Sequence, residues 1–265
     1  MYYFSWLSEP LTSLILCSAR VYIYIYVISL FAFKEIKGVI LYSIAFTLTI
    51  TPALYISEQV NFSNIRGAVF FLLFIKELLL GLIVGLMLAV PFWIFESTGA
   101  LFDNQRGVLM GEQINPAMTT SNSVSGYIIK SIFIITFIYN NGFSQLVALI
   151  WDSYVFWPVD SLYFSQTKQV VTYWLLLLSE SFISILVYSA PFSVLLLLID
   201  FSIAILSLHS PRMQVTLIAL PTKILISIAF LIVYIPGLVN LSEKQIIRQE
   251  NIIHNIPNII RLSKD

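Results

Sequence analysis

Long apolar runs, one after another and parted by short polar turns, limit this chain more than any other feature. Leu11–Phe33 is the first, closed by Lys34, Glu35 and Lys37. Gly38–Ile56 is the second, with Pro52 near its end, and Ser57–Gly67 is a polar connector. Ala68–Phe95 is the third. Tyr127–Trp151 is the fourth, weakened by Asn140, Asn141 and Gly142. Val171–Leu208 is too long for one simple span. Pro191 divides it, into either one kinked helix or a tight helical hairpin. Val215–Val239 is the last. A bilayer core takes roughly 20 apolar residues per helix. Its lack of water forces each span to satisfy its own backbone, which a helix does. The expected fold is all-α: a polytopic helical membrane protein with about six hydrophobic segments, six or seven.

Composition agrees. Hydrophobic residues make up 58% of 265 positions and charged residues 11%, against about 25% charged in soluble domains. Residues 1–265 read as a single integral-membrane domain, and 240–265 as a polar C-terminal tail. In that tail Ile246, Ile247, Ile252 and Ile253 lie among polar residues, a spacing that suits a partly helical segment. Its basic residues Lys244, Arg248, Arg261 and Lys264 favour a cytoplasmic C-terminus. The N-terminal MYYFSWLSEP has no Lys or Arg, so the first run reads as a retained span and not a cleaved signal. With 14 basic and 14 acidic residues the chain has no basic excess to hold nucleic acid. Cys17 stands alone. No Walker A, HExxH, GxSxG or GxGxxG sequence occurs, and His209 and His254 have no metal-spaced companions. The reading is a protein that is not an enzyme and takes no cofactor.

Polar residues inside the apolar blocks carry the most information. An ionisable group at membrane depth costs at least ~2.5 kcal/mol on insertion scales, so it faces protein or water. Arg20, Lys76, Glu77, Glu180, Asp200 and Lys223 occupy such positions, which suggests buried pairing between helices. Lys130, near a span end, is expected to snorkel. Glu77, Gly81, Gly85 and Ala89 share one helix face. The GxxxG pair admits a second backbone at close range, and Glu77 at the end of the stripe needs a cation or donor. Lys76 points about 100° away on a helix and is not expected to supply it. Ser179, Glu180, Ser181 and Ser184 form a polar patch before Pro191.

Glu96–Gly126 is the longest polar stretch between spans. Gly107, Gly111 and Pro116 break it, and Asp103 and Arg106 can pair if their turn is helical. Leu109 and Met110 add bulky apolar groups, as a re-entrant loop or plug beside a water-filled cavity would.

Asp103-Asn104-Gln105-Arg106-Gly107, preceded by Pro91-Phe92-Trp93, resembles the SpaR/FliR family of bacterial export-gate proteins, its virulence-associated branch more than its flagellar one. Lys76-Glu77 with Gly81 and Gly85 resembles the family's third helix. Asn115-Pro116 stands where relatives tend to have Asp-Pro. Pro191 leads to the leucine run and Asp200, followed by Ser207, Pro211, Met213 and Lys223. Asp200 stands in place of an expected glutamate, Leu208 of an arginine, and Ala204 of a glycine.

The resemblance implies a non-catalytic gate subunit of a type III secretion apparatus in the bacterial inner membrane. Its partners would be R-type and S-type gate subunits, a U-type switch protein, membrane lipid and, transiently, unfolded secreted proteins. Asp103–Gly107 with Leu109, Met110, Asn115 and Pro116 would help to plug the closed pore. Lys76, Glu77, Gly81, Gly85, Ala89, Glu180, Pro191, Asp200, Pro211 and Lys223 would serve helix packing and assembly. The alternative is a small-solute secondary transporter or channel.

Overall fold

The computed structural model describes residues 2–60, 67–107, 123–160, 167–209 and 215–261. These residues form seven helices and no strand: α1 (Tyr2–Phe31), α2 (Val39–Gln59), α3 (Gly67–Gln105), α4 (Val124–Tyr139), α5 (Gly142–Phe156), α6 (Thr167–His209) and α7 (Val215–Arg261). Five helices are long and apolar enough to cross a bilayer, and α4 with α5, bent by 76°, makes a sixth if counted as one span. The chain is an all-α polytopic membrane protein.

Several boundaries differ from the sequence expectation, each for a local reason. The fourth block is two helices, because Asn141 takes a left-handed backbone conformation (φ 56°) that asparagine tolerates better than most residues. Its carbonyl then accepts from the Ser144 amide to start α5. Val171–Leu208 is not a hairpin; α6 runs unbroken past Pro191. The expected connector from Glu96 is helical as far as Gln105. Thr98 turns its hydroxyl back to the Ile94 carbonyl at 2.8 Å, and Glu96 finds a cation, so neither needs a loop. Gly107, at φ 87°, lies just beyond the C-terminus of α3, where a left-handed glycine is favoured. The tail is helical as far as Arg261, where α7 ends.

The chain falls into two compact units: Met1–Val90, Asn141–Tyr173 and Ile247–Asp265 form one, and Pro91–Asn140 with Trp174–Ile246 form the other. In the first unit α2 packs along α1, and the buried Ser13 hydroxyl donates to the Ala53 carbonyl at 3.0 Å. Pro91 has no N–H, so the carbonyl four residues earlier loses its helical partner. That carbonyl belongs to Met87, and the buried Gln249 amide from the end of α7 donates to it at 3.3 Å.

The second unit is built on aromatic rings. Phe102 and Phe192 stack with centroids 3.8 Å apart, Phe95 stacks on Phe133 at 4.5 Å, and Phe92 meets Phe133 and Phe137 edge-on. Buried tyrosine and glutamine need partners. The Tyr188 hydroxyl donates to Gln245 Oε1 at 3.1 Å, and the Tyr234 hydroxyl donates to the Tyr188 carbonyl at 3.0 Å.

Candidate functional site

In the first unit, Arg20 of α1 and Glu77 of α3 are both fully buried, with Arg20 Nε 2.6 Å from Glu77 Oε2. The remaining guanidinium nitrogens donate to the end of α5: Nη1 to the Ser153 carbonyl (2.8 Å) and hydroxyl (3.1 Å), Nη2 to the Trp157 carbonyl (2.8 Å). The Ser153 carbonyl also accepts from the Trp157 amide at 3.0 Å, and both it and the Trp157 carbonyl lie at the negative end of the α5 dipole. Arg20 therefore caps α5 while neutralising Glu77. Its Cζ also lies 4.1 Å from the centre of the Tyr154 ring, a favourable cation–π placement. Tyr154 in turn donates its hydroxyl to the Cys17 carbonyl at 3.0 Å. One guanidinium thus joins three helices through every kind of contact it can make.

Lys76 corrects the sequence expectation. Its Nζ lies 2.9 Å from Glu77 Oε1. The four-carbon stem reaches around the helix, a freedom that an argument from Cβ direction leaves out. The same ammonium donates to the Pro158 and Val159 carbonyls at 2.8 and 3.2 Å. Two cations thus share one carboxylate, and the surplus positive charge falls on carbonyls at and just past the C-terminus of α5.

Gly81 and Gly85 let this happen. A Cβ on Gly81 would lie 2.3 Å from the Arg20 carbonyl oxygen, and one on Gly85 3.2 Å from the Tyr24 backbone. The backbone that approaches the glycine face is the chain's own α1. Ala89 is buried on the same helix.

In the second unit, the end of α3 and the start of α4 are tied by Asp103. Its Oδ2 accepts from the Ser123 hydroxyl at 2.5 Å and from the Ser125 amide at 3.0 Å. Ser123 Oγ accepts from the Gly126 amide at 2.8 Å as the N-cap of α4. Arg106 forms an ion pair with Asp103 from one turn away. A carboxylate there also faces the positive end of the α4 dipole. Lower down, Gly99 and Gly126 cross so closely that a Cβ on Gly99 would be 2.5 Å from the Gly126 backbone. Lys130 does not snorkel: it is buried, with Nζ 3.0 Å from Glu96 Oε2. Asn104 and Gln105 are exposed. Leu109, Met110, Asn115, Pro116 and Pro211 lie outside the described residues.

Of the other expected packing residues, Asp200 is half-exposed and forms an ion pair with Lys223. Glu180 is exposed on α6 and not buried as the sequence suggested. Its neighbours Ser181 and Ser184 are buried and bond back to the Leu177 and Glu180 carbonyls, as hydroxyls in apolar helices do. Pro191 is exposed on α6. Among the described residues no group of three or more His, Cys, Asp or Glu side chains could hold a metal ion.

Replacing Asp103 with alanine removes the acceptor that joins Ser123 and Ser125 to α3. We expect the Ser125 amide to exchange roughly ten- to hundredfold faster with deuterium, because a buried donor left unpaired costs about 1–3 kcal/mol. Hydrogen-exchange mass spectrometry of a peptide covering the start of α4 reads this directly. Unchanged exchange there would show that Asp103 does not hold the two segments together.

Sequence comparison places this geometry among known proteins. The profile described as "Bacterial export proteins, family 1" matches residues 11–248. The "Yop proteins translocation protein T" of Yersinia pestis is 32% identical over 159 residues, covering 60% of this chain and 61% of that protein. The "Surface presentation of antigens protein SpaR" of Shigella sonnei is 30% identical over 166 residues, 63% of each chain. The "Flagellar biosynthetic protein FliR" of Bacillus subtilis is 25% identical over 223 residues, covering 81% of this chain and 82% of that one. The chain thus spans about three fifths of the length of the first two relatives.

Proposed function

This chain belongs to the bacterial export proteins, family 1, and on that footing we propose that it is a non-catalytic subunit of a type III secretion export gate. The observation that carries the reading is the family match over residues 11–248, nearly the whole chain. Identities of 32% to the Yersinia pestis protein and 30% to the Shigella sonnei protein, against 25% to the Bacillus subtilis flagellar protein, support the virulence-associated branch. The place of work is then the bacterial inner membrane.

The helices themselves support a subunit role. In α3 the most apolar window is 67% buried, but in α7 it is 11% and in α2 28%. Those apolar faces need lipid or other helices against them. The partners in this reading are R-type and S-type gate subunits and a U-type switch protein, with unfolded secreted proteins passing through. The ion pairs at Glu77 and Asp103 hold helices in place.

The plug in this reading is the loop at the end of α3, Asp103–Gly107 with Leu109, Met110, Asn115 and Pro116. Asp103 supports it, because one carboxylate fastens both the residues that enter the segment and those that leave it.

The test is the native mass of the tagged chain, extracted in mild detergent from cells that express the neighbouring genes. A complex several times heavier than 30.1 kDa, with one copy of this chain among small helical membrane subunits, is the expected result. A stable particle of this chain alone that moves a small solute into liposomes would overturn the reading in favour of a transporter.

A further inference from the structure

Two cavities follow one another along α2 and α5 in the first unit. The first, about 400 Å³, lies between Ser43–Leu48 of α2 and Phe143–Val147 of α5, with Tyr24 and Ile28 of α1 behind it. The second, about 540 Å³, continues from Thr51 to Val60 on α2 and from Trp151 to Val159 at the other wall. From Ser43 to Gln59 the walls extend roughly 24 Å at helical rise, close to the depth of a bilayer core at about 30 Å. Each volume lies in the range of roughly 300–1,000 Å³ typical of small-molecule sites.

The first cavity offers a ligand no free polar group in the contacts seen. Its hydroxyls are turned into the protein: Ser29 donates to the Ile36 carbonyl (2.5 Å), Ser43 to Val39 (2.9 Å), Thr47 to Ser43 (2.9 Å) and Tyr24 to Leu146 (2.7 Å). Water needs two or more polar partners to occupy such a space. Its occupant is therefore apolar where it touches the walls. At one end the character changes. Phe33 and Ile36 line the cavity, and they alternate in the α1–α2 turn with Lys34 and Lys37, which are exposed. The turn carries two cations against the single carboxylate of Glu35.

An apolar slot with a cationic rim, continued by a second cavity that Thr51, Tyr55 and Gln59 help to line, fits an amphiphile with an acidic head. We propose that the groove between α2 and α5 binds an anionic phospholipid, its acyl chain along the two cavities and its acidic headgroup at Lys34 and Lys37. The site lies on α2, long and apolar enough to cross a bilayer, and on the α5 half of the bent α4–α5 pair, so it requires that the chain sit in a membrane and not that it serve an export gate. The lipid would fill a gap that α2 leaves by packing along α1, and so hold α2 and α5 at their present spacing.

The experiment is native mass spectrometry of the full-length chain, delipidated and then offered phosphatidylglycerol or phosphatidylcholine of equal chain length. One phosphatidylglycerol is expected to survive detergent removal, and phosphatidylcholine is not. Val147→Trp, which fills the first cavity, should reduce retention by roughly tenfold or more. The double variant Lys34→Ala/Lys37→Ala changes only exposed side chains and should erase the headgroup preference, a change of roughly tenfold for two lysines. Equal retention of both lipids by the unaltered chain, or unchanged retention by both variants, overturns the proposal. So does a lipid-free groove in the co-purified complex with a partner helix crosslinked to Val147, which would assign the groove to a protein occupant.

Discussion

Glu77→Ala is expected to be the most damaging single substitution of a side chain in this protein. It leaves Arg20 fully buried with no counter-charge, and leaves Lys76 beside it. Removing one member of a buried pair costs about 3–5 kcal/mol, about a fifth or more of the roughly 5–15 kcal/mol that holds a typical domain folded. The carbonyls of Ser153 and Trp157 can still accept from Arg20, but they carry only partial charge. Helix α5 then loses its anchor, because the guanidinium that caps it moves toward water.

The double variant Arg20→Met/Glu77→Leu separates charge from shape. Both groups become apolar and similar in volume, so the buried guanidinium is removed together with its partner; Lys76 loses Glu77 and keeps the Pro158 and Val159 carbonyls, and part of the loss should be recovered. Thermal unfolding in detergent, followed by the fraction of chain that stays soluble, reads both. If Glu77→Ala melts where the unaltered chain does, the cluster contributes nothing and the argument from buried charge is wrong. If the double variant is as weak as the single one, the damage does not come from an orphaned Arg20.

The crossings and the need for paired charges were legible in the residues, because both follow from one rule: lipid supplies no polar partner. The identities of the partners were not. Nothing near Arg20 in sequence names Ser153 or Trp157, since a carbonyl acceptor is present at every position and leaves no residue signature. Pro91 points by simple counting to the Met87 carbonyl, but no rule of spacing leads from there to Gln249. Lys130 and Glu96 were separable only in three dimensions, because each sits where a span end and a connector look alike. The helical course of Glu96–Gln105 was hidden for the same reason. Its polar side chains resemble a loop until Lys130, Gly126 and Ser123 are seen to satisfy or accommodate them.

The glycine stripe shows what a pattern says and what it omits. Gly81 and Gly85 are equivalent in a GxxxG motif, yet the structure ranks them far apart. A methyl group on Gly81 would sit 2.3 Å from the Arg20 carbonyl oxygen and 3.1 Å from its Cα. Those are backbone atoms of a packed helix, so α1 itself must move. On Gly85 the nearest atoms are at 3.1–3.2 Å, the closest being the Val27 Cβ, and a shift of a few tenths of an ångström is enough.

Alanine also gains helix stability over glycine, by roughly 1 kcal/mol. At Gly85 that gain offsets the tight contact, and Gly85→Ala should leave stability within about 1 kcal/mol of the original. At Gly81 overpacking of about 1–3 kcal/mol or more is compounded, because the displaced residue is Arg20. Moving its backbone pulls the guanidinium off Glu77, Ser153 and Trp157 together. We therefore expect Gly81→Ala to lower stability by about 3 kcal/mol or more, approaching Glu77→Ala. The two losses should not add in the combined variant, since both act through the same arginine. Side-by-side unfolding of Gly81→Ala, Gly85→Ala and Gly81→Ala/Glu77→Ala decides the matter. Equal losses at the two glycines would mean that the motif acts as a uniform packing face. Additive losses in the combined variant would mean that Gly81 supports α1 independently of the charge it carries.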